Sequence, residues 1–308
     1  MFTSRVWRVI ACGLIGLGAV AVVLSIGQTR VQAESTAPNG NGGAIPQSIA
    51  AGTSNACVVM SNGRLLCWGN NGFGKLGDGT TTQRNMPVDV VSITADASAI
   101  ATSFGHTCAV VDGGVKCWGN NGGGQLGTGN TSPSSAPTNV VGLPAGSGVT
   151  VVGLGNGHTC AIVGGAAKCW GEDFYGQLGN GNAGSSNVPT DVIGLSSGVT
   201  MIDGGYEHTC AIVNGAAQCW GRNGLGQLGT GNTSNSPVPT DVVGLSSGVT
   251  AIKASRYSNS HSCAIVNGGV KCWGDNNNGQ LGQGDFGPAS WRGNQPNEMG
   301  DFLPQINL

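Results

Sequence analysis

The sequence predicts an all-β protein, a propeller of four-stranded blades built from five repeats, and three observations carry that prediction. A segment of the form HTCAIVNGAAQCWGRNGLGQLGTGN, at residues 208–232, recurs five times. The tryptophans that mark the copies, Trp68, Trp118, Trp170, Trp220 and Trp273, stand 50, 52, 50 and 53 residues apart, a period that suits one blade. With 57 Gly, 5% aromatic and 9% charged residues, the chain is dense in turns. Helical periodicity is missing beyond the N-terminal apolar stretch, which leaves strands as the element the pattern supports.

Within each copy, two cysteines flank a turn signal. The turn centres are Asp112-Gly113, Gly164-Gly165, Asn214-Gly215 and Asn267-Gly268, with a three-residue Ser61-Asn62-Gly63 in the first copy. These are residues that tolerate the positive φ of a two-residue hairpin turn. Counting outward from Asn214-Gly215 places Cys210 opposite Cys219 as a non-hydrogen-bonded pair, where Cα atoms approach to about 4.5 Å and a disulfide fits. The same count pairs Cys57 with Cys67, Cys108 with Cys117, Cys160 with Cys169, and Cys263 with Cys272. Two opposed cysteines of one hairpin supply only half of a tetrahedral zinc site, so no metal is expected.

Five disulfides imply an oxidising compartment. Arg5 and Arg8 precede an apolar stretch from Val9 to Ile26, followed by Val31-Gln32-Ala33, the pattern of a secretory signal peptide over residues 1–33. Cleavage after Ala33 would remove Cys12 and leave ten cysteines, all paired. The alternative is an uncleaved anchor, since some 18 apolar residues are long enough to span a bilayer. Without residues 1–33, ten basic residues face fifteen acidic ones, and no basic face is available for nucleic acid.

Residues 34–46 read as a flexible linker, and residues 47–308 as the propeller. One repeat holds four strand candidates, of the types Ser247 to Ile252, His208 to Val213, Val270 to Gly274 and Pro239 to Leu245. The fourth type begins at Pro87, Pro137, Pro189, Pro239 and, after an insertion, Pro304. That phasing predicts that Leu303 to Leu308 complete the blade of Cys57 and close the ring, with an open arc as the alternative.

HTCAIV, CWGxNxxGQLGxG and PTDVVGL, present in all five copies with small departures, resemble the regulator of chromosome condensation repeat family over roughly residues 47–308. The resemblance implies four-stranded blades in a ring, usually of seven. It implies no single function: the founding nuclear member is a guanine-nucleotide exchange factor that also binds chromatin, and secreted bacterial members include an inhibitor of β-lactamases. No exchange or inhibition residues map onto positions of this chain.

Recurrent residues are the wrong place to seek a site. The GxGxxG spellings at Gly72, Gly122 and Gly224 recur in turn-rich loops with no following helix, and so mark tight turns rather than a dinucleotide site. His106, His158, His208 and His261 each precede the first cysteine of a copy by two residues, with Asn55 in their place in the first, which fits a hydrogen-bonding role. Places where the copies disagree are better candidates: Phe174 and Tyr175 with Glu172 and Asp173, Arg256 and Tyr257, and Phe286, Trp291 and Arg292 in the insertion from Asp285 to Phe302. Tyr, Trp and Arg are enriched in binding hot spots.

No nucleophile elbow and no HExxH helix is present, and no catalytic residue or cofactor is expected. The reading is a non-enzymatic extracellular protein-binding or adhesion module that presents its loops to a protein or cell-surface partner. A secreted protein inhibitor of an extracellular enzyme, an exchange-factor-like activity and a glycan-active enzyme are the alternatives.

Overall fold

A computed structural model describes residues 43–93, 96–258 and 260–306. The expected export segment, 1–33, and most of the expected linker, 34–46, lie outside the described residues. The linker's last residue, Pro46, already belongs to the first strand.

Five antiparallel sheets follow one another along the chain. The first is β1 (Pro46–Ala51), β2 (Asn55–Met60), β3 (Leu65–Gly69) and β4 (Arg84–Asp89). The second is β5 (Ala97–Thr102), β6 (His106–Val111), β7 (Gly114–Gly119) and β8 (Ser134–Asn139). The third is β9 (Val149–Leu154), β10 (His158–Val163), β11 (Ala166–Gly171) and β12 (Ser186–Asp191). The fourth is β13 (Val199–Gly204), β14 (His208–Val213), β15 (Ala216–Gly221) and β16 (Ser236–Asp241). The fifth has β17 (Val249–Ala254), β18 (His261–Val266) and β19 (Gly269–Gly274). In each sheet the strands lie in chain order, so every blade is a meander.

The hairpins form as the turn residues dictate. Asp112, Asn214 and Asn267 have φ of 50°, 51° and 49°, and the glycine after each is also positive, as a type I′ turn requires. The register then sets cysteine against cysteine in every blade. All five disulfides are formed, with Cα atoms 4.1 Å apart.

Fourth strands begin earlier than the PTDVVGL motif indicates. β16 is Ser236–Asp241, while Val242 and Leu245 leave the strand and enter the core at 2% and 1% exposure. Pro239 is tolerated there because an outermost strand need not donate on its free side.

The expectation that Leu303 to Leu308 complete the first blade is overturned. The sheet of Cys57 has its own fourth strand, β4, and Ile306 N donates to Val270 O of the fifth blade. Val242 N donates to Ala217 O in the same way, so Ile306 holds the equivalent place in its own blade. An isolated bridge between Gly274 and Arg292 matches the pairing of Gly221 with Ser236. The insertion therefore splits a fourth strand into two short contacts.

Blades are joined by a repeated polar code. Thr159 Oγ1 and Trp170 Nε1 of the third blade both donate to Gln125 O of the second, at 2.8 and 2.9 Å. Thr107 and Trp118 do so to Lys75 O, Thr209 and Trp220 to Gln177 O, and Ser262 and Trp273 to Gln227 O. The third glycine of each GxGxxG spelling serves this junction: a Cβ on Gly127 would stand 2.7 Å from Trp170 Nε1. The four tryptophans are fully buried.

The histidines complete the code. His106 Nε2 lies 2.8 Å from Thr159 Oγ1, His158 Nε2 2.9 Å from Thr209 Oγ1, and His208 Nε2 3.0 Å from Ser262 Oγ. Since each hydroxyl proton goes to a carbonyl, the imidazole must be the donor, which assigns the Nε2–H tautomer. Burial lowers the pKa of His106, His158 and His208 to about 3, 4 and 3. Asn55, in the first blade, reaches Thr102 Oγ1 instead, at 2.8 Å. Each blade packs on the next, and among the described residues β17 and β18 make no comparable packing with β1.

Candidate functional site

In a four-stranded meander, the first-to-second and third-to-fourth connections emerge at one end of the blade. That end gathers the aromatic residues which the junctions do not use. All three tyrosines, Tyr175, Tyr206 and Tyr257, and Phe73, Phe104, Phe174 and Phe286 lie in these two kinds of connection. Phe302, two residues after the Gly300 that packs on Gly244 at the other end of the blades, is the exception among the described phenylalanines and tyrosines. Phe73, Phe104, Phe174, Tyr257 and Phe286 are 43%, 52%, 69%, 60% and 79% exposed. Exposed aromatics concentrated at one end of the blades make that end the candidate surface.

Around the face, local contacts order the side chains. The rings of Phe73 and Phe104 sit 6.4 Å apart at 54°, and Lys75 Nζ lies 5.9 Å above the Phe104 ring. Lys75 replaces the glutamine of the other copies; it donates to Ser54 Oγ and Phe104 O, and burial lowers its pKa. The Arg222 guanidinium stacks 5.3 Å from the Tyr175 ring while binding Glu207 Oε2 at 2.6 Å.

The sequence-predicted candidates separate into two groups. Phe174, Tyr175, Tyr257 and Phe286 present ring surface at the loop end, and Trp291 joins them there, its Nε1 donating to Asn277 Oδ1 at 3.3 Å. The two arginines face inward. Arg292 binds Asp285 Oδ2 at 2.6 Å and Ser290 O at 2.7 Å, holding the insertion together. Arg256 crosses to the propeller axis, where it donates to Leu154 O, Thr102 O and Asp203 Oδ1 at 2.8, 3.1 and 3.2 Å.

Arg256 thereby ties three blades to its own. It lines an axial cavity of about 540 Å³, together with Ile49, Ala101, Val152, Asp203 and Lys253. Asp203 is 4% exposed at its side chain and faces both Arg256 and Lys253. Phe73 and Phe104 were legible by the rule that picked out Phe174, for their counterparts at the matching positions of the second and third copies are Gly123 and Asn156.

Two acids break the third copy. Asp173 stands where the other blades have Asn71, Asn121, Asn223 and Asn276. Each of those amides accepts a backbone N–H through Oδ1 and donates to loop carbonyls through Nδ2. Asp173 Oδ1 accepts from Leu178 N at 2.9 Å, and burial raises its pKa to about 6. Glu172 is half-buried; desolvation, then the Glu207 charge, raises its pKa. Among the described residues no group of three or more His, Cys, Asp or Glu is arranged to hold a metal, and no helix is long and apolar enough to cross a membrane.

Comparison with known proteins agrees with this architecture. Models of the regulator of chromosome condensation (RCC1) repeat match residues 62–110, 112–162, 169–212 and 214–265, and a second model of the repeat matches 47–75. Among solved structures, human WBSCR16 is similar at 22% identity and a TM-score of 0.72, covering 89% of this chain and 70% of that one. Prp20p from Saccharomyces cerevisiae, described with its binding to Gsp1p and histones, is similar at 20% identity and a TM-score of 0.70, covering 86% of this chain and 64% of that one. Yeast RCC1 (Prp20) bound to Kap60 gives 20% identity and a TM-score of 0.63, over 75% of this chain and 56% of that one. The chain thus spans between about half and 70% of the length of these structures, and at such identities the likeness is one of fold. On the strength of its repeats, the chain belongs to the regulator of chromosome condensation repeat family.

Proposed function

We propose that this protein is a non-enzymatic, extracytoplasmic binding module that offers the loop end of its blades to a protein partner. The observation that carries the reading is the concentration of Tyr and Phe at that end, with Phe174, Tyr175, Tyr257 and Phe286 prominent and Trp291 beside them. Aromatic side chains bury much area at small entropic cost, which suits an interface. Five disulfides support an oxidising location, and the signal-like residues 1–33 supply a route to it. The similar yeast protein is described as binding Gsp1p and histones, which supports protein binding as a use of the fold. Without residues 1–33, ten basic residues face fifteen acidic ones, a balance that argues against a nucleic-acid partner.

An interaction screen with the oxidised, exported protein tests this reading, with Phe174→Ala and Tyr257→Ala beside Phe302→Ala as the control at the opposite end. Capture of a defined protein that both loop-end substitutions weaken and Phe302→Ala leaves unchanged is the expected result. If the captured protein is an enzyme and its activity falls on binding, the module is an inhibitor. Capture indifferent to the loop-end variants, or turnover of a glycan by the isolated chain, refutes the proposal.

A further inference from the structure

One position in the loop end is left electrostatically incomplete. The residue that follows the third strand is Asn70, Asn120, Glu172, Arg222 or Asp275 in the five blades. Four of these heads are satisfied nearby. Asn70 Oδ1 accepts from Gly72 N and Asn120 Oδ1 from Gly122 N, both at 3.1 Å. Asp275 accepts from Asn277 N and from Gln280 Nε2, at 3.2 and 2.8 Å, and Arg222 pairs with Glu207. The Glu172 carboxylate alone has neither a hydrogen bond nor an ion pair among the described residues.

Its surroundings sharpen the point. Glu172 lies across Gly123 and Gly157, where any Cβ would overlap its side chain, so two glycines make its seat. Glu207 repels it, and the Arg222 guanidinium that binds Glu207 is engaged there and stacked on Tyr175. Arg222 neutralises Glu207, and the Glu172 carboxylate has no cation of its own among the described residues. Glu172 also forms a wall of a cleft of about 390 Å³ between the second and third blades, lined with Gly122, Gly123, Thr131, Phe174 and Asn187. Phe174 is the one aromatic ring of that lining and Glu172 its one charge. A carboxylate beside an exposed ring, with polar groups on the opposite wall, is the arrangement that receives a cation on an aliphatic stem.

We propose that this cleft receives a lysine or arginine side chain of the protein partner, its charge on the Glu172 carboxylate and its stem against Phe174. The inference rests on the protein-binding reading and names the chemistry at one point of that surface. The half-buried carboxylate is partly desolvated and repelled by Glu207, and a basic side chain arriving from outside complements its charge, which gives the pair specificity.

The test is a titration of the isotope-labelled, oxidised full chain, followed by NMR, with N-acetyl-lysine amide and N-acetyl-arginine amide as probes and N-acetyl-norleucine amide as the uncharged comparator. Saturable shifts centred on the amides of Gly122, Gly123 and Phe174, at least tenfold weaker for norleucine and for Glu172→Gln, are expected. Glu172→Gln is half-exposed and keeps its size, and an unchanged thermal melt confirms that the variant is folded. Shifts that are absent, lie elsewhere or persist in Glu172→Gln overturn the proposal. A defined partner captured equally by wild type and Glu172→Gln overturns this inference and leaves the binding module standing; probe binding at the cleft without any loop-end partner does the reverse.

Discussion

His106 Nε2 stands 2.8 Å from Thr159 Oγ1 across the second and third blades, and the same hydroxyl donates to Gln125 O. One side chain thus receives from one blade element and gives to another, with every atom buried. Thr159→Val keeps the shape and removes the hydroxyl. It leaves the His106 N–H without an acceptor, and a loss of about 1–3 kcal/mol is expected, read as a lower urea midpoint with an unchanged m-value.

The same imidazoles make the fold sensitive to acid. Their folded pKa values, about 3 to 4, lie below the ordinary imidazole value of about 6.5, so the unfolded chain binds the protons that the folded chain excludes. Stability therefore rises with pH through this window and is fully present above it. Between about pH 6 and pH 4, each histidine lowers stability by up to roughly 1.4 kcal/mol per pH unit. Thermal melts across this range test the expectation, and a melting temperature that stays flat from pH 7 to pH 4 contradicts it.

Asp173→Asn restores the amide that the four sister loops use. The folded carboxyl has a raised pKa of about 6, so the folded state holds its proton more tightly than the unfolded one and stability falls as pH rises through the interval from about 4 to 6. The asparagine variant escapes that loss. A gain of about 1 kcal/mol is expected at pH 7, shrinking toward zero below pH 4, and is measurable by paired denaturation curves.

Arg256→Ala removes three hydrogen bonds at the axis and leaves Asp203, 4% exposed at its side chain, with the Ala254 N–H and, as its remaining cation, the more solvated Lys253. Removing one member of a buried charge pair costs about 3–5 kcal/mol. The companion Asp203→Asn in a double-mutant cycle with Arg256→Ala should recover part of that loss.

Disulfides contribute locally. Cys210→Ala with Cys219→Ala opens a link between residues nine apart, and the chain-entropy view values that at about 2–3 kcal/mol. Reduction of the wild type should lower the thermal midpoint, and an unchanged midpoint would show that strand pairing alone stiffens the blade.

Much of this architecture was legible because its determinants are local. Asn214-Gly215 sets a hairpin turn, the turn sets a register, and the register sets Cys210 on Cys219; each step needs only a few residues of sequence. The phasing of the last blade was not legible. Leu303 and Pro304 look like the start of a fourth strand wherever it docks, and only the three-dimensional pairing of Ile306 with Val270 assigns it to the fifth blade. Side-chain direction was lost in the same way. Arg256 and Tyr257 are neighbours at a break in the repeat, yet one enters the axis and the other the solvent, a choice made by Leu154, Thr102 and Asp203, between 53 and 154 residues away. Glu172 was visible as a break, but its missing partner is a property of what surrounds it.

The junction code has an evolutionary consequence. A blade such as residues 199–241 carries both halves of the joint: Thr209 and Trp220 as donors on one side, and the Gln227 carbonyl on the other. A unit with both halves can be duplicated in tandem without a single compensating substitution, because the copy meets its parent as the parent meets its neighbour. Chain length in such a protein drifts in steps of a whole blade, while loop positions outside the joint, such as Phe174 and Tyr175 beside Gln177, diverge freely.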